Sequence, residues 1–439
     1  MPDATPAAVP RATDIVVVGA GPAGVAAAKA AVAHGASVTL IDSAPLLGGQ
    51  YGRQAIDSPY VGVPGVQHLP NTVVWAIEPG RRLHLLSGPL DAPNRVASVL
   101  DAPHLILATG AYDRAIPFPG WDLLGVHTAG AAQALAKGRR EAIGQRVLIA
   151  GTGPFLLPVA ESLVSVGSRV LGVLEANSPT RWARGALTGL HKIPELARYA
   201  AVLAKHRIPY RTKRTVIAAH GIDRVTSVTT AKIDGAWNVV PGSEQRVEVD
   251  AVCVGFGFVP QLDLAVASGC LVYKGFVRVD SAQRTSVAGV LAAGEITGVG
   301  GADLAAAEGE IAGITAAGGR VPRAALRRVH KGRMFAEALA RAHPVRPGWR
   351  SWLTPNTIIC RCERVVHDTL RQAVDLRGAA DSRTLKLTSR VGLGRCQGRM
   401  CGRAVAELTG IPDVVRRPIA APVRLGELSK ENRHDPGTA

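Results

Sequence analysis

The chain has 439 residues, more than one hydrophobic core of ordinary size accommodates, so two or three domains are expected. Hydrophobic residues make up 47% of it and aromatic residues only 4%, which argues against an aromatic platform for single-stranded nucleic acid. The formal net charge of +17 is not accompanied by any DNA- or RNA-binding motif, so nucleic acid is excluded as the predicted partner.

The N-terminal residues and the cysteine content favour a reducing compartment. Residues 1–13 lack the basic stretch followed by an apolar stretch that is typical of a secretory signal. No apolar run is long enough to span a bilayer. Four of the six cysteines cluster near the C-terminal end, which fits metal ligation better than a disulfide scaffold. The sequence therefore predicts a cytoplasmic protein without a transmembrane segment.

The first predicted element is a buried strand, Asp14–Val18, followed by a glycine-rich turn, Gly19–Gly24, and an alanine-rich helix. Ser37–Ile41 then forms the second predicted strand. This order of strand, turn, helix and strand is typical of one unit of a parallel sheet.

The glycine turn has the spacing of a dinucleotide-binding site. Gly19 allows a tight turn, Gly21 lets the backbone approach a pyrophosphate, and Gly24 lets the helix pack closely on the strand. Pro22 and Ala23 open the helix, whose N-terminus supplies N–H groups for an anion. A glycine-rich turn without a ligand is the alternative, and the surrounding pattern disfavours it.

An acid completes this unit. Asp42 follows the second predicted strand directly, where its carboxylate is placed to accept hydrogen bonds from the ribose hydroxyls of an adenosine.

Three further fragments favour FAD over NAD at this site. Leu105–Gly110 resembles the second signature of two-dinucleotide flavoproteins, where a strand ends beside the cofactor. Gly294–Glu295 resembles their third signature, whose acid binds the ribityl chain and is usually Asp, so that Glu is a departure. Gly48–Gln50 resembles the turn near the flavin. The residues assigned to the FAD site from these fragments are Gly49, Gln50, Thr109, Gly110, Gly294 and Glu295.

A second copy of the unit begins at the predicted strand Arg146–Ala150. Gly151 and Gly153 form its turn, and Glu175 ends its second strand. An acid at this position suits a free 2′-hydroxyl better than a 2′-phosphate, so the site is a candidate for NAD or ATP.

The second turn departs from the pattern at two positions. Leu156 stands where a third glycine is expected, and Pro158 falls early in the expected helix, which it would kink. A structural relic that no longer binds a nucleotide is therefore as well supported as a working site.

The cysteines near the C-terminal end form a C-x-C pair and a C-x4-C pair separated by 33 residues. The predicted metal ligands are Cys360, Cys362, Cys396 and Cys401. Four thiolates hold either a [2Fe–2S] cluster or a structural zinc ion. Neither pair has the C-x2-C spacing that zinc ribbons favour, and four arginines surround the pairs, which suits an anionic cluster. Iron–sulfur is thus favoured over zinc, and disulfides are least favoured.

The other titratable residues indicate no catalytic group. Cys253 and Cys270 lie in apolar surroundings and are predicted core residues. No C-x-x-C pair accompanies the flavin fragments, which disfavours dithiol chemistry. None of the twelve histidines forms a convincing triad or ligand set, so the catalytic residues stay unassigned.

The predicted fold class is α/β, with two Rossmann-like dinucleotide-binding domains and a small helical [2Fe–2S] domain. Residues 320–350 contain nine Lys or Arg and one acid, and several prolines, which favours a solvated linker or docking face. The predicted boundaries are an FAD domain at 12–118 and 285–318, a second nucleotide domain at 119–284, a basic linker at 319–355, the cluster domain at 356–412 and a tail at 413–439.

Five blocks of the sequence resemble one family of flavoproteins. The blocks are Gly48–Gln54, Ala108–Trp121, Gly125–Gln133, Gly294–Ala302 and Gly394–Cys401. They are similar to the alpha subunits of opine oxidases, and to hydrogen cyanide synthase, dye-linked proline or hydroxyproline dehydrogenases and heterotetrameric sarcosine oxidase. The last block resembles the bacterioferritin-associated-ferredoxin-like [2Fe–2S] domain of that family. The segment between Gln54 and Leu105 is short for the family, so a helix is expected to be missing.

The resemblance implies an alpha-type subunit of a heteromeric amino-acid, opine or imino-acid dehydrogenase. In such complexes a second, beta-type flavoprotein subunit usually oxidises the amine, and the alpha subunit handles electrons for an acceptor that the sequence does not identify. One rival is a self-contained NAD(P)H-dependent reductase that uses the second turn. The other rival is a scaffold or electron-transfer subunit that turns over nothing alone.

Overall fold

A computed structural model of the chain describes residues 9–10, 12–52, 62–90, 92–178, 180, 189, 192–412 and 419–431. Arg53 and Gln54 of the predicted flavin-turn block, and parts of the predicted C-terminal tail, lie outside these residues.

Short runs of β-branched and apolar residues between turn residues form the strands. In chain order they are β1 (Ile15–Val18), β2 (Val38–Ile41), β3 (Val66–Leu69), β4 (Thr72–Glu78), β5 (Arg82–Ser87), β6 (Val96–Asp101), β7 (His104–Leu107), β8 (Ala111–Asp113), β9 (Val126–Thr128), β10 (Arg146–Gly151), β11 (Arg169–Glu175), β12 (Tyr210–Thr212), β13 (Arg214–Gly221), β14 (Val225–Lys232), β15 (Gln245–Glu248), β16 (Ala251–Gly255), β17 (Phe258–Pro260), β18 (Val272–Tyr273), β19 (Phe276–Val277), β20 (Val290–Ala292), β21 (Ile358–Cys360) and β22 (Val365–Val366).

Alanine-rich and leucine-rich runs form most of the helices. In chain order they are α1 (Pro22–Ala33), α2 (Gly49–Gly52), α3 (Ala129–Arg139), α4 (Leu156–Ser165), α5 (Ile193–Lys205), α6 (Asp263–Ala267), α7 (Ala302–Ala316), α8 (Arg323–Ala342), α9 (His367–Asp375), α10 (Ser382–Ser389), α11 (Gly402–Thr409) and α12 (Leu425–Glu431). Short 3-10 helices include Gly294–Ile296 and Pro347–Trp352.

Contacts divide the chain into two compact units, each assembled from segments that are distant in sequence. Unit 1 comprises Met1–Ala111, Pro260–Ala336 and Arg416–Ala439, and unit 2 comprises Tyr112–Val259 and Glu337–Val415. The finer division into domains that the sequence predicts stays a prediction.

Unit 1 is organised on a five-stranded parallel sheet with the order β20–β7–β1–β2–β3. All four residues of the central strand β1 are buried, as expected for a parallel strand that is covered on both faces. The antiparallel sheet β4–β5–β6 belongs to the same unit. Between residues 62 and 103 the described residues are strands β3 to β6 and the turns and loops that join them, without a helix. The predicted Rossmann-like unit is confirmed.

Helices α1 and α7 pack closely in unit 1 because α7 carries glycines where the helices meet. A Cβ on Gly309 would overlap the carbonyl oxygen of Ala23, and a Cβ on Gly313 would overlap that of Ala27. Glycine inside a helix lowers the stability of that helix. At Gly309 and Gly313 this cost is offset because the absence of a side chain lets α7 approach α1 closely.

Replacing Gly309 with alanine is expected to lower the free energy of unfolding, since the added methyl group would overlap the Ala23 carbonyl in a rigid helix. Overpacking of this kind costs about 1–3 kcal/mol. The matched control is Gly138→Ala in α3, where a Cβ meets nothing within 4 Å, and it should be neutral or stabilising by up to about 1 kcal/mol. Denaturant unfolding of both variants measures the difference. A Gly309→Ala protein as stable as the wild type would contradict the close packing.

Unit 2 is organised on a second five-stranded parallel sheet, with the order β12–β11–β10–β16–β9. It also contains the antiparallel sheet β13–β14–β15 and the short pair β21–β22. The second predicted Rossmann-like unit is therefore confirmed as a fold.

The cysteine-bearing segment of unit 2 has its own small hydrophobic core. Helices α9 to α11 and the pair β21–β22 contribute buried residues to it. Among them are Ile359, Leu370, Leu385, Val391 and Val405.

The structure adds two points about local structure to the sequence-based expectations. The basic segment that we predict to be a linker contains the 20-residue helix α8. Its prolines, Pro322 and Pro344, lie just outside the helix ends, where they do not interrupt hydrogen bonds. Pro158 is the third residue of α4, and the N–H groups of a first helical turn have no intrahelical partner, so this proline need not kink the helix.

Candidate functional site

The first glycine turn lies at the carboxyl end of β1. Gly19 has a φ of +104°, in the left-handed region, and a Cβ there would overlap the carbonyl oxygen of Ala108. A Cβ on Gly24 would overlap the carbonyl oxygen of Gly19. The protein's own backbone therefore requires glycine at both positions.

Gly21 is different, because neither its backbone nor its protein neighbours require glycine. Its φ is −74°, and a Cβ would have no neighbour nearer than the Cα of Gly49 at 4.0 Å. The open space lies at the N-terminus of α1, which Pro22 begins and where Ala23 and Gly24 have N–H groups without an intrahelical partner. Open space beside such N–H groups fits a pyrophosphate, as predicted for FAD.

Asp42 holds the turn to the end of β2. Its Oδ2 accepts the N–H of Ala20 at 2.6 Å, and its Oδ1 accepts the N–H of Ala44 at 2.7 Å. Each carboxylate oxygen has a second lone pair, so the half-buried side chain keeps acceptor capacity for ribose hydroxyls.

Two of the predicted fragments meet at the first turn. A Cβ on Gly49, where φ is +57°, would lie 2.8 Å from the Cα of Gly21. A Cβ on Gly294 would lie 2.9 Å from the Cβ of Ala23. Residues separated by more than two hundred positions thus converge at the carboxyl edge of the sheet, where ligands of open α/β sheets bind.

The remaining predicted residues lie in loops beside these. The Thr109 hydroxyl donates to the carbonyl oxygen of Gln261 at 2.7 Å, and the carbonyl oxygen of Gly110 accepts the N–H of Gln261 at 2.9 Å. Gly110 has a φ of +76°. Gln50 is exposed in α2. Sequence reasoning missed Gln261, which no local motif marks.

Glu295 has one carboxylate oxygen bonded to the protein and one without a partner among the described residues. Its Oε1 accepts the N–H of Gly301 at 2.8 Å and that of Gly300 at 3.4 Å. Its Oε2 is buried with no hydrogen-bond partner. Burial raises the pKa of Glu295, and the two N–H donors oppose the rise. An unpaired buried acceptor is what a residue that binds ligand hydroxyls would present.

Sequence reasoning also missed two charged residues of this site, Glu308 on α7 and Arg333 on α8. Their side chains form an ion pair of 2.5 Å, and Glu308 is fully buried. The available signal was an isolated acid inside an alanine-rich helix, at a position that its helical pattern marks as core.

The second glycine turn is bonded to its own acid. Glu175 is 2% exposed, and its Oε2 accepts the N–H of Gly153 at 2.8 Å. Its Oε1 accepts the Thr152 hydroxyl and the N–H of Asn177, each at 2.8 Å. Gly151 is required by the backbone, since a Cβ there would overlap the carbonyl oxygen of Gly255.

A segment just after α8 adds to this network. Nδ1 of His343 lies 3.4 Å from Oε2 of Glu175. The Asn177 amide donates to the Thr152 hydroxyl at 2.7 Å and to the carbonyl oxygen of Pro344 at 3.0 Å. The polar side chains of the second turn are therefore engaged by protein atoms, although an added Cβ on Gly153 would meet nothing within 4 Å, as at Gly21.

The four predicted metal ligands form two thiol pairs in unit 2. Cys360 is hydrogen-bonded to Cys401, and Cys362 to Cys396. Cys360 and Cys401 are buried, Cys396 is partly buried and Cys362 is exposed. The other two cysteines are buried core residues, as predicted.

The thiols differ in their ease of ionisation. The hydrogen bond from Cys401 lowers the pKa of Cys360 to about 6, against the opposing effect of burial. The backbone N–H groups that contribute to this lowering are those of Gly392, Glu363 and Cys362. Burial raises the pKa of Cys362, and the nearby thiols of Cys396 and Cys360 raise it further. Thiolates that accept backbone N–H bonds are suited to metal or cluster ligation.

Across the described ranges, no three or more His, Cys, Asp or Glu side chains are arranged to hold a single metal ion. A four-thiolate donor set fits a two-iron cluster, with two thiolates for each iron.

Contacts within unit 2 attach the cysteine segment to the second Rossmann-like sheet. Arg114 forms a largely buried ion pair of 2.5 Å with Glu407 of α11. The indole Nε1 of Trp121 donates to the carbonyl oxygen of Ile358 at 2.5 Å. The guanidinium of Arg361, which lies between Cys360 and Cys362 in the sequence, is 5.0 Å from the centre of the Trp121 ring.

Among the helices of the described residues, none combines the length and the apolar character that crossing a bilayer requires.

Comparison with known proteins agrees with this geometry. The family model described as pyridine nucleotide-disulphide oxidoreductase matches residues 13–318. An opine oxidase subunit of Rhizobium meliloti is 30% identical, with 95% of this chain and 87% of that protein covered. Hydrogen cyanide synthase subunit HcnB of Pseudomonas protegens is 32% identical, with 88% and 89% covered.

The fold is also that of a solved structure, L-proline dehydrogenase from P. horikoshii. The TM-score is 0.64 at 19% sequence identity, and 95% of this chain and 79% of that one are covered. The open glycine turn, the converging fragments and these relatives lead to one conclusion. The chain belongs to the pyridine nucleotide-disulphide oxidoreductase family and is an FAD-dependent oxidoreductase.

Proposed function

We propose that this chain is the alpha-type subunit of a heteromeric dehydrogenase that oxidises an amino acid, an opine or an imino acid. Electrons would pass between FAD in unit 1 and a [2Fe–2S] cluster held by Cys360, Cys362, Cys396 and Cys401. The observation that carries the proposal is the two thiol pairs, in a chain whose relatives are named as oxidase and synthase subunits.

The proposed chemistry follows from the cofactors. Oxidation of a C–N bond releases two electrons, which FAD accepts together when bound, and a [2Fe–2S] centre accepts electrons singly. The chain would bind and orient the flavin cofactor with Gly21, Asp42 and Glu295. The half-buried Arg361 would offset the negative charge of the cluster.

The state of the second turn argues against the rival in which NAD(P)H reduces the flavin. Glu175 is the acid expected to bind the adenosine ribose, and its carboxylate already accepts three hydrogen bonds from protein groups. That carboxylate is also 2% exposed, whereas the carboxylate of Asp42 is half-buried, so ribose hydroxyls would have less access to Glu175. We infer that the second Rossmann-like domain of this chain is structural, holding neither NAD nor ATP.

A basic stripe on α8 is the candidate docking face for the partner. Arg323, Arg327 and Lys331 are spaced by four residues, so they share one face of the helix, and all three are exposed. We infer that this basic stripe binds an acidic surface of a beta-type flavoprotein subunit, since complementary charge steers association.

Purified alone, the chain is expected to show little or no amine dehydrogenase activity with proline, hydroxyproline, sarcosine or opines and an artificial dye. Activity should appear on co-expression with a neighbouring flavoprotein subunit, because no catalytic acid or base is predicted here. Binding of the partner should weaken as salt rises from about 0.05 M to about 0.5 M, since screening shortens the reach of surface charge.

Charge reversal tests the docking face directly. The double variant Arg327→Glu and Lys331→Glu should weaken partner binding by about tenfold or more, about 1.4 kcal/mol. Lys205→Glu with Arg207→Glu, two exposed basic residues elsewhere, is the matched control and should bind normally. Fast amine oxidation by the lone chain would contradict the subunit role, and fast NADH oxidation would favour the reductase.

A further inference from the structure

An ion pair buried beside the FAD site has no role in the function described so far. Glu308 of α7 has no exposed side-chain surface, and Arg333 of α8 is 28% exposed. Nη2 of Arg333 lies 2.5 Å from Oε1 of Glu308. Both residues belong to unit 1, although Arg333 lies in the segment that the sequence predicts to be a linker.

The pair encloses the turn that carries Glu295. Oε2 of Glu308 accepts the N–H of Gly294 at 2.9 Å and the hydroxyl of Thr297 at 2.8 Å. Arg333 donates to the carbonyl oxygen of Thr297 at 2.8 Å and to its hydroxyl oxygen at 2.7 Å. The carboxylate of Glu308 therefore bonds both ends of the turn, and the guanidinium of Arg333 bonds its Thr297 end.

The guanidinium of Arg333 lies against the backbone directly after this turn. Gly298 has a φ of +151°, and a Cβ there would overlap Nη1 of Arg333. Arg333 also acts on Glu295, since its positive charge opposes the rise in the pKa of that carboxyl that burial causes. One guanidinium thus lies close to two buried acids.

Stability alone does not account for the pair. Replacing a buried ion pair with apolar residues of similar volume is often neutral or stabilising, because removing two charges from water is costly. A pair that makes four hydrogen bonds to one turn is better explained by the position that it imposes on that turn.

We propose that Glu308 and Arg333 are positioning residues for FAD, which fix the Gly294–Thr297 turn and thereby the Glu295 carboxylate that would bind the ribityl chain. The inference rests on the proposed role of Glu295 in binding the flavin. The side chain at position 333 must be arginine in this arrangement, because its two terminal nitrogens contact Thr297 and Glu308 at the same time.

The test is FAD affinity of the full-length apoprotein, measured by flavin fluorescence, together with its thermal unfolding. Arg333→Met should weaken FAD binding by about tenfold or more. Arg333→Lys should weaken it to a similar extent, since a lysine keeps the charge and loses the fork. Thr297→Val, which leaves the ion pair in place, should weaken binding by about threefold or more when it is measured well below the melting temperature of the variant apoprotein.

The matched control is Arg328→Met. Arg328 is also on α8 and also pairs with a glutamate of α7, Glu310, at 2.6 Å, but this pair is exposed. The Arg328→Met variant should bind FAD with wild-type affinity. Wild-type FAD affinity in Arg333→Lys would show that only the positive charge at this position matters. Wild-type FAD affinity in Thr297→Val would show that the bonds to the Gly294–Thr297 turn do not affect FAD binding. Either result overturns the proposal. A wild-type chain that binds no FAD would instead contradict the flavin assignment.

Discussion

Replacing Gly21 with leucine is expected to abolish FAD retention while the apoprotein still folds. The protein leaves the space at Gly21 open, with the nearest atom to an added Cβ 4.0 Å away, so a side chain there meets little protein. It would occupy the space in which the pyrophosphate approaches the first turn of α1. The affinity for FAD should fall by about 100-fold or more, which corresponds to about 2.8 kcal/mol.

Reconstitution with FAD, followed by gel filtration and the absorbance ratio of flavin to protein, measures the loss. Gly235→Leu is the matched control, because an added Cβ there also meets nothing within 4 Å but lies far from the site in sequence. Gly235→Leu should retain FAD, and both apoproteins should melt at nearly the wild-type temperature. Full retention of FAD by Gly21→Leu would show that this turn is wrongly assigned.

Replacing Cys396 with serine is expected to eliminate the proposed cluster. The variant would keep only three of the four proposed thiolate ligands, because Cys362 would lose its partner thiol. Wild-type protein prepared anaerobically should contain iron and acid-labile sulfide in equal amounts, and the variant should contain little of either. FAD binding should persist, because Cys396 belongs to unit 2 and the glycine turn to unit 1, and separate cores need not unfold together.

Cys270→Ser is the matched control, since Cys270 is a buried cysteine of unit 1 outside the thiol pairs. The Cys270→Ser protein should contain as much iron as the wild-type protein. Zinc without iron in the wild-type protein would replace the redox proposal with a structural metal site. Iron retained in full by Cys396→Ser would remove that cysteine from the ligand set.

The sequence alone determined the features that depend on neighbouring residues. The turn Gly19–Gly24 is recognisable because a strand, three spaced glycines and a helix follow one another within about twenty residues. The four cysteines are recognisable because their spacing is local to each pair. The family resemblance follows from the same contiguous blocks.

Only the tertiary structure decided how those features are used. Glu175 matches the pattern of a ribose-binding acid, yet it is bonded to Gly153, Thr152 and Asn177, and a segment after α8 joins that network. Arg333 looks like one more charge of a linker, yet it reaches a turn 36 residues earlier in the chain. Such contacts depend on how elements that are distant in sequence pack, and a pattern of residue types along the chain does not specify which side chains packing will bring together.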